Sequence, residues 1–308
     1  MVNSLISIVV PNYNHKLFLE QRLNSIFNQT FGDYEVILLD DASTDGSQEF
    51  LKSFRSHSKV AHLVLNTHNS GSPFMQWKKG ISLATGEYIW IAESDDFCEP
   101  TFLEHLVGSL RKNVGVYYTQ TIDVDEKGAV LLNRISTTKS FRPNIWRNDF
   151  ELTGTEFINK YMLEKNVIPN ASAVLFKRNL IDENIFSDNL LKMKMCGDWL
   201  FWIKLCEKSD LFFKSEPLNY FRNHTTITRR HDTKKKKKTR ILEECTIRNY
   251  VFERLGLTNK SKNDVLTKKW FALHPVKSLF KSGFYKLRLP SKNRFSLLLE
   301  FLNFKLKK

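Results

Sequence analysis

Four short apolar runs limit what this chain can fold into. They are "LISIVV" (residues 5–10), "YEVILL" (34–39), "VAHLVL" (60–65) and "EYIWIA" (87–92). A strand with one wet face alternates apolar and polar residues, whereas near-continuous apolar runs belong to strands covered on both faces. Between the first two runs, Leu19, Leu23, Ile26 and Phe27 recur at helical spacing within 16–29. Asp45 or Ser47 can cap a helix after the second run, a further helix runs to about Ala84, and Gly86 fits its C-terminus. Strand–helix alternation of this kind predicts an α/β fold with a Rossmann-like, mostly parallel central sheet flanked by helices.

In such sheets ligands bind beyond the carboxyl ends of the strands. Three polar clusters fall at those ends: Pro11–Asn14, Asp40–Asp41 and Glu93–Asp96. They are expected to converge on one crevice. The last is the most demanding, because "YIWIAESDDF" crowds three carboxylates behind a buried strand, where like charges repel more strongly as water is excluded. Either this is a solvated loop, or a cation or a hydrogen-bonded ligand offsets the repulsion. Magnesium and manganese bind through one or two carboxylates plus substrate phosphates, so the cluster suits a metal–diphosphate site holding Mn2+ or Mg2+. Asp41 can accept a hydrogen bond from a base or ribose, and Tyr13 offers a face for stacking a base, although an acidic turn and a packed tyrosine account for both equally well.

The second part is less regular. Residues 114–135 read as short strands, 153–164 as a helix, 171–176 as a strand and "GDWLFWIKLCEK" (197–208) as a helix with an acidic start. "LFF" (211–213) and "LNYFRNH" (218–224) read as closing strands, and 232–256 as a helix. Four cysteines without a CxxC pair read as reduced thiols in a cytosolic setting. No apolar run reaches the roughly 20 residues needed to cross a bilayer, and the N-terminus lacks the marks of a secretory signal.

Several stretches in order, "SIVVPNYN", "VILLDDASTDGS", "NSGSPFMQWKKGISLATGEYIWIAESDD" and "GDW", resemble family 2 glycosyltransferases with the GT-A fold, over roughly residues 4–225. The resemblance implies an inverting, metal-dependent enzyme that moves a sugar from a nucleoside diphosphate, most often uridine diphosphate, to a glycan or lipid-linked acceptor in surface polysaccharide biosynthesis. It implies that Pro11 and Tyr13 flank the base, Asp41 binds the base, Asp95 meets the ribose or the metal, and Asp96 holds the metal. Asp198 matches the family's catalytic base. Its aromatic neighbours Trp199, Phe201 and Trp202 are expected to raise its pKa. Arg222 and His224 match a late segment that contacts the diphosphate or completes the metal shell. Lys78 and Lys79 of "QWKKG" stand near the family's arginine, with Lys79 assigned to the donor; a solvated helix face is the alternative for both. Glu93 departs from the family, which often has Asp there.

Three segments follow: 1–115 for the nucleotide sugar, 116–229 for acceptor and catalysis, and 230–308 as a basic, aromatic, helical tail. Of the net charge of +14, the 88 residues from Phe221 onward carry 24 Lys+Arg and six Asp+Glu, leaving the first 220 residues at −4. That asymmetry concerns partners, not fold. With aromatics spread among the lysines, the tail is expected to hold the protein on an anionic membrane surface, at the cytoplasmic face of the plasma membrane; packing on the catalytic domain is the alternative. No nucleic-acid partner is expected, because the crevice is acidic and the sheet domain lacks a basic, aromatic patch. A nucleotide-binding relative without catalysis is the other functional alternative.

Overall fold

Polar strand ends meet here because the strands that carry them are neighbours. In the computed structural model, which describes residues 4–224, 233–290 and 292–307, β1 (Ile6–Asn12), β2 (Tyr34–Asp40), β3 (Val60–Leu65) and β4 (Tyr88–Ile91) pair in the spatial order β3–β2–β1–β4, all parallel. Helices α1 (Lys16–Phe27), α2 (Ser47–Lys52) and α3 (Pro73–Leu83) connect them. Successive residues of β1 serve opposite faces. Ile6, Ile8 and Val10 join Leu19, Leu23 and Ile26 of α1, while Val9 joins Phe74, Trp77 and Ile81 of α3. Both faces are dry, which is why the strands read as continuous apolar runs.

Gly86 has a role other than the helix end expected of it. α3 already stops at Leu83. A Cβ at Gly86 would lie 2.6 Å from the backbone nitrogen of Ser7 and 2.8 Å from the carbonyl carbon of Ile6, so glycine is what lets this turn approach β1.

Beyond β4 the sheet becomes mixed. The chain runs through β5 (Phe97–Cys98), α4 (Phe102–Val107), β6 (Val114–Val124), β7 (Val130–Asn133), β8 (Phe150–Leu152), α5 (Gly154–Phe157), β9 (Val174–Lys177), α6 (Asp188–Lys192), α7 (Gly197–Cys206) and β10 (Asp210–Arg222). The sheet continues β4–β9–β6–β10–β5, with β9 antiparallel to both neighbours, β6 parallel to β10, and β5 antiparallel to β10. The two closing strands expected from the sequence are one strand, β10, whose register against β6 shifts around Pro217. A proline has no N–H for the ladder, and the shift accommodates it.

The tail packs α8 (Lys234–Leu255), α9 (Lys260–Ala272) and α10 (Arg294–Leu306) around its own core. Ile241, Trp270, Phe271, Phe284, Leu297 and Phe301 fill it. α8 also fastens to the rest of the protein: Arg248 donates to the Leu163 carbonyl at 3.1 Å, and Arg254 pairs with Glu207. Residues 225–230 of "YFRNHTTITRR" and the expected start of α8 at 232 lie outside the described residues. Among the described residues no helix is long and apolar enough to cross a membrane.

Candidate active site

The loops after β1 and β2 are tied together before any ligand arrives. The Asn14 N–H donates to Ser43 Oγ at 2.8 Å and the Thr44 N–H to Asn14 Oδ1 at 2.8 Å. Asn14 (φ 55°) and Ala42 (φ 62°) both take left-handed backbone, which asparagine tolerates well and alanine poorly. Asp45 accepts from the N–H groups of Lys16 and Ser47 at 2.8 and 3.0 Å, serving the starts of α1 and α2 at once. Pro11 is buried within β1, whereas Tyr13 is 48% exposed on the rim.

Asp41 is buried, and its carboxylate accepts from Asn66 Nδ2, Gln76 Nε2, and the N–H and Oγ of Ser70. Lys79 reaches this group through Asn66, with Nζ 2.7 Å from Asn66 Oδ1. Lys78 is exposed.

The three crowded carboxylates avoid mutual repulsion by dividing the charge. Burial, reinforced by Asp95, pushes Glu93 up to about 8; its Oε1 accepts from Trp77 Nε1 at 2.8 Å. Burial and the Asp95 charge also raise Asp96. Burial opposes ionisation of Asp95 as well, but the His224 hydrogen bond and the His15 ring hold it below the usual range. Of the three, Asp95 is the one held in its charged form most readily. Arg22 of α1 lies fully buried with its guanidinium 4.9 Å from the Trp90 ring, and its charge opposes the upward shifts of Glu93 and Asp96.

Among the described residues, Asp95, His224 and His15 form a group whose ligand atoms all lie within 4.8 Å of one another. Asp96 is outside it. Its Oδ2 accepts from Asn170 Nδ2 and Ser172 Oγ, at 2.5 and 2.6 Å, and its Oδ1 from the Arg222 N–H at 3.0 Å. The Arg222 side chain is likewise engaged inside the protein. It donates to the carbonyls of Asp95 and Glu126, each at 2.8 Å, and lies over the rings of Phe18 and Phe97. Both residues brace the loop that presents Asp95. His15 Nδ1 is 2.9 Å from Ser94 Oγ, and burial holds the imidazole below its usual range, leaving a neutral ring with a lone pair to offer.

Asp198 stands in the first turn of α7, where the helix macrodipole favours an anion, and Asn166 Nδ2 donates to its Oδ2 at 3.1 Å. Phe201 and Trp202 are taken up by the core, Phe201 edge-on against Trp77 and Phe176, and Trp202 edge-on against Phe176. A Cβ at Gly197 would lie 2.3 Å from the Phe74 ring, so the start of α7 is seated closely on α3. Asn166 also lines a cavity of about 110 Å³ with Thr119, Gln120, Arg134, Trp146 and Lys165.

Sequence reasoning missed His15, Gln76, Asn166, Asn170 and Ser172. His15 directly follows "PNYN", so its place at a strand end was a usable signal. The others reach the site across the fold and carry no local motif.

Comparison with known proteins identifies the family. A family model described as "Glycosyl transferase family 2" matches residues 7–183. Glycosyltransferase GlyG of Streptococcus pneumoniae is 36% identical over 122 residues, 38% of this chain and 40% of that protein. An uncharacterized glycosyltransferase of Haemophilus influenzae is 24% identical over 98% of this chain and 91% of its own length. The poly(ribitol-phosphate) beta-glucosyltransferase of Bacillus spizizenii is 39% identical over 94 residues, 30% of this chain and 15% of that protein. Among solved structures, S. aureus TarS 1–349 in complex with UDP-GlcNAc aligns with a TM-score of 0.63 at 18% identity, covering 97% of this chain and 81% of that one. The mannosyltransferase PcManGT of Pyrobaculum calidifontis, in complex with GDP-Man and Mn2+, aligns with a TM-score of 0.55 at 16% identity, covering 99% and 81%.

Proposed function

The chain belongs to glycosyl transferase family 2, and from that premise we propose that it transfers a sugar from a uridine diphosphate donor, with inversion, to a glycan or lipid-linked acceptor of a surface polysaccharide. The observation that carries this reading is the His15–Asp95–His224 group at the carboxyl edge of the sheet, the edge at which Tyr13 and Asp41 also follow their strands.

Two imidazoles and one ionised carboxylate fit a divalent cation, and imidazole favours manganese over magnesium. Asp95, His224 and His15 would hold it, with Asp96 and Arg222 keeping the loop in place. Bound there, the cation neutralises charge developing on the leaving diphosphate. Tyr13 stacks the base, Pro11 shapes the floor beneath it, and Asp41, poised by Ser70 and Gln76, orders the loop around it. Lys79 stiffens that loop through Asn66. Asp198 accepts the proton of the acceptor hydroxyl as its oxygen attacks the anomeric carbon. The bond to the diphosphate breaks on the opposite face, and its electron pair leaves with the nucleotide. Asn166 joins Asp198 to the cavity of about 110 Å³, which would take part of the acceptor. TarS with UDP-GlcNAc, PcManGT with Mn2+ and the beta-glucosyltransferase that acts on poly(ribitol-phosphate) support the donor class, the ion and the surface-polymer acceptor.

The tail serves a membrane surface in this reading. α8 opens with five consecutive lysines, Lys234 to Lys238, where the helix macrodipole disfavours cations, so helix stability does not account for them. Lys234 and Lys281 stand near enough to Lys238 to add to burial in lowering its pKa. Phe280 beside Lys281 is 91% exposed, and Phe295, Leu299, Leu302 and Leu306 form an exposed stripe along α10 at helical spacing. Lysines and exposed apolar residues on one helical unit would complement anionic headgroups over acyl chains, each basic residue contributing about 1 kcal/mol. This would hold the crevice at the cytoplasmic face of the plasma membrane.

The test of the activity is UDP release from a panel of UDP-glucose, UDP-galactose, UDP-GlcNAc and UDP-GalNAc with Mn2+. Release from at least one, abolished by chelator, is expected; release that persists in excess chelator contradicts the metal-dependent reading.

A further inference from the structure

Three backbone N–H groups in the loop before α7 converge on one side chain from the tail. Glu243 of α8 accepts from the N–H of Lys194 at 2.8 Å through Oε1, and from those of Met195 and Cys196 at 2.9 and 2.8 Å through Oε2. The carboxylate is buried, and its partners lie 47–49 residues away in sequence. We propose that Glu243 is a positioning residue for Asp198, which makes the C-terminal helical unit a working part of the active site.

The loop is four residues long, between the end of α6 at Lys192 and the start of α7 at Gly197. Asp198 follows Cys196 by two residues. Among the described residues no strand pairs with these three N–H groups, so a single carboxylate acceptor fixes the backbone. Hydrogen bonds to an ionised acceptor are short and strong, and three of them on one carboxylate restrain the loop along its length. Phe74 seats the other side of the α7 start at Gly197. The carboxylate of Asp198 is thus located by a clamp from the tail and a seat from the sheet domain. Tight location matters because a general base displaced by about 1 Å can lose on the order of 10²-fold in rate.

This inference rests on Asp198 being the base, and the experiment separates the two. In the full chain, Glu243→Ala, Glu243→Gln, Asp198→Asn and the Asp198→Asn/Glu243→Ala double variant are compared for UDP release from the UDP-sugar selected by the panel, and for UDP affinity with Mn2+ by calorimetry. Glu243→Ala is expected to lower kcat by about 10-fold or more with donor KM within about twofold, because the clamp acts on the base and not on the nucleotide. Glu243→Gln keeps one acceptor oxygen and is expected to lose about threefold to tenfold, a partial rescue. The double variant should fall within about twofold of Asp198→Asn alone, as for two groups acting through one. Wild-type kcat in a folded Glu243→Gln or Glu243→Ala overturns the proposal while Asp198→Asn remains impaired, and so does a double variant whose losses multiply. Wild-type turnover in Asp198→Asn instead removes the base and this proposal with it. If Glu243→Ala does not fold, Glu243→Gln decides.

Discussion

The imidazole Nε2 of His224 lies 2.9 Å from Oδ2 of Asp95, although 129 residues separate them. The register of two strands brings them together. β5 follows directly after Asp96, β10 ends at Arg222, and the two pair antiparallel with Tyr220 opposite Phe97. The Phe97 and Tyr220 rings stack at 4.5 Å with an interplanar angle of 3°. Continued one step beyond this short pairing, the register sets Arg222 beside the Asp95 backbone, and His224, two residues further along, comes within reach of the Asp95 carboxylate.

Asp198→Asn should lower kcat by about 10²-fold or more with donor KM nearly unchanged, the usual scale for a positioned base. Steady-state kinetics check this. Asparagine matches aspartate in size, and Asn166 can turn its amide to meet it, so thermal stability should hold.

Asp45→Ala should destabilise the protein by about 1–2 kcal/mol at pH 7, the scale of losing a charged acceptor that serves the first N–H groups of two helices. Burial alone would raise Asp45, but hydrogen bonds from Ser47 and Lys16 hold it below its ordinary value of 3.8. A depressed carboxylate stabilises the fold above its unfolded pKa, and that stability is lost as pH falls through the folded value. The gap between wild type and variant in urea denaturation should therefore shrink as pH falls below about 4.

Gly86→Ala should cost about 1–3 kcal/mol, as forced overpacking does, because the atoms it meets belong to the β1 backbone and cannot swing aside. A lowered midpoint in thermal unfolding checks this; a midpoint equal to wild type would mean that β1 shifts without cost.

Flotation should show the full chain on anionic vesicles, with most binding lost at high salt. Phe280→Ser combined with Phe295→Ser and Leu306→Ser should weaken binding about tenfold or more, since each removes apolar area that is mostly exposed. Equal binding to neutral and anionic vesicles would reject the lysine contribution.

Much of the first half was legible because its signals are local. Continuous apolar runs mark dry strands, and a parallel sheet then places Asp41 and Asp95 at one edge without knowledge of any contact. The rest depends on pairings that no short stretch announces. β10 and β5 pair over two residues, Asn170 and Ser172 meet Asp96 from a turn before β9, and Glu243 reaches the α7 loop from the tail. The tail's aromatics read as a membrane surface in composition, yet Trp270, Phe271, Phe284 and Phe301 are core, and α10's exposed stripe with Phe280 is what faces outward. Only three-dimensional neighbours separate those two sets.

The most direct measurement is calorimetric titration of UDP into the full chain, with Mn2+ and with chelator, for wild type, Asp95→Asn and His224→Ala. The account predicts that Mn2+ tightens UDP binding by about 10-fold or more in wild type, and that the Mn2+ effect is abolished in Asp95→Asn and reduced in His224→Ala, because these residues hold the ion that meets the diphosphate. Equal UDP affinity with Mn2+ and with chelator in wild type would contradict it.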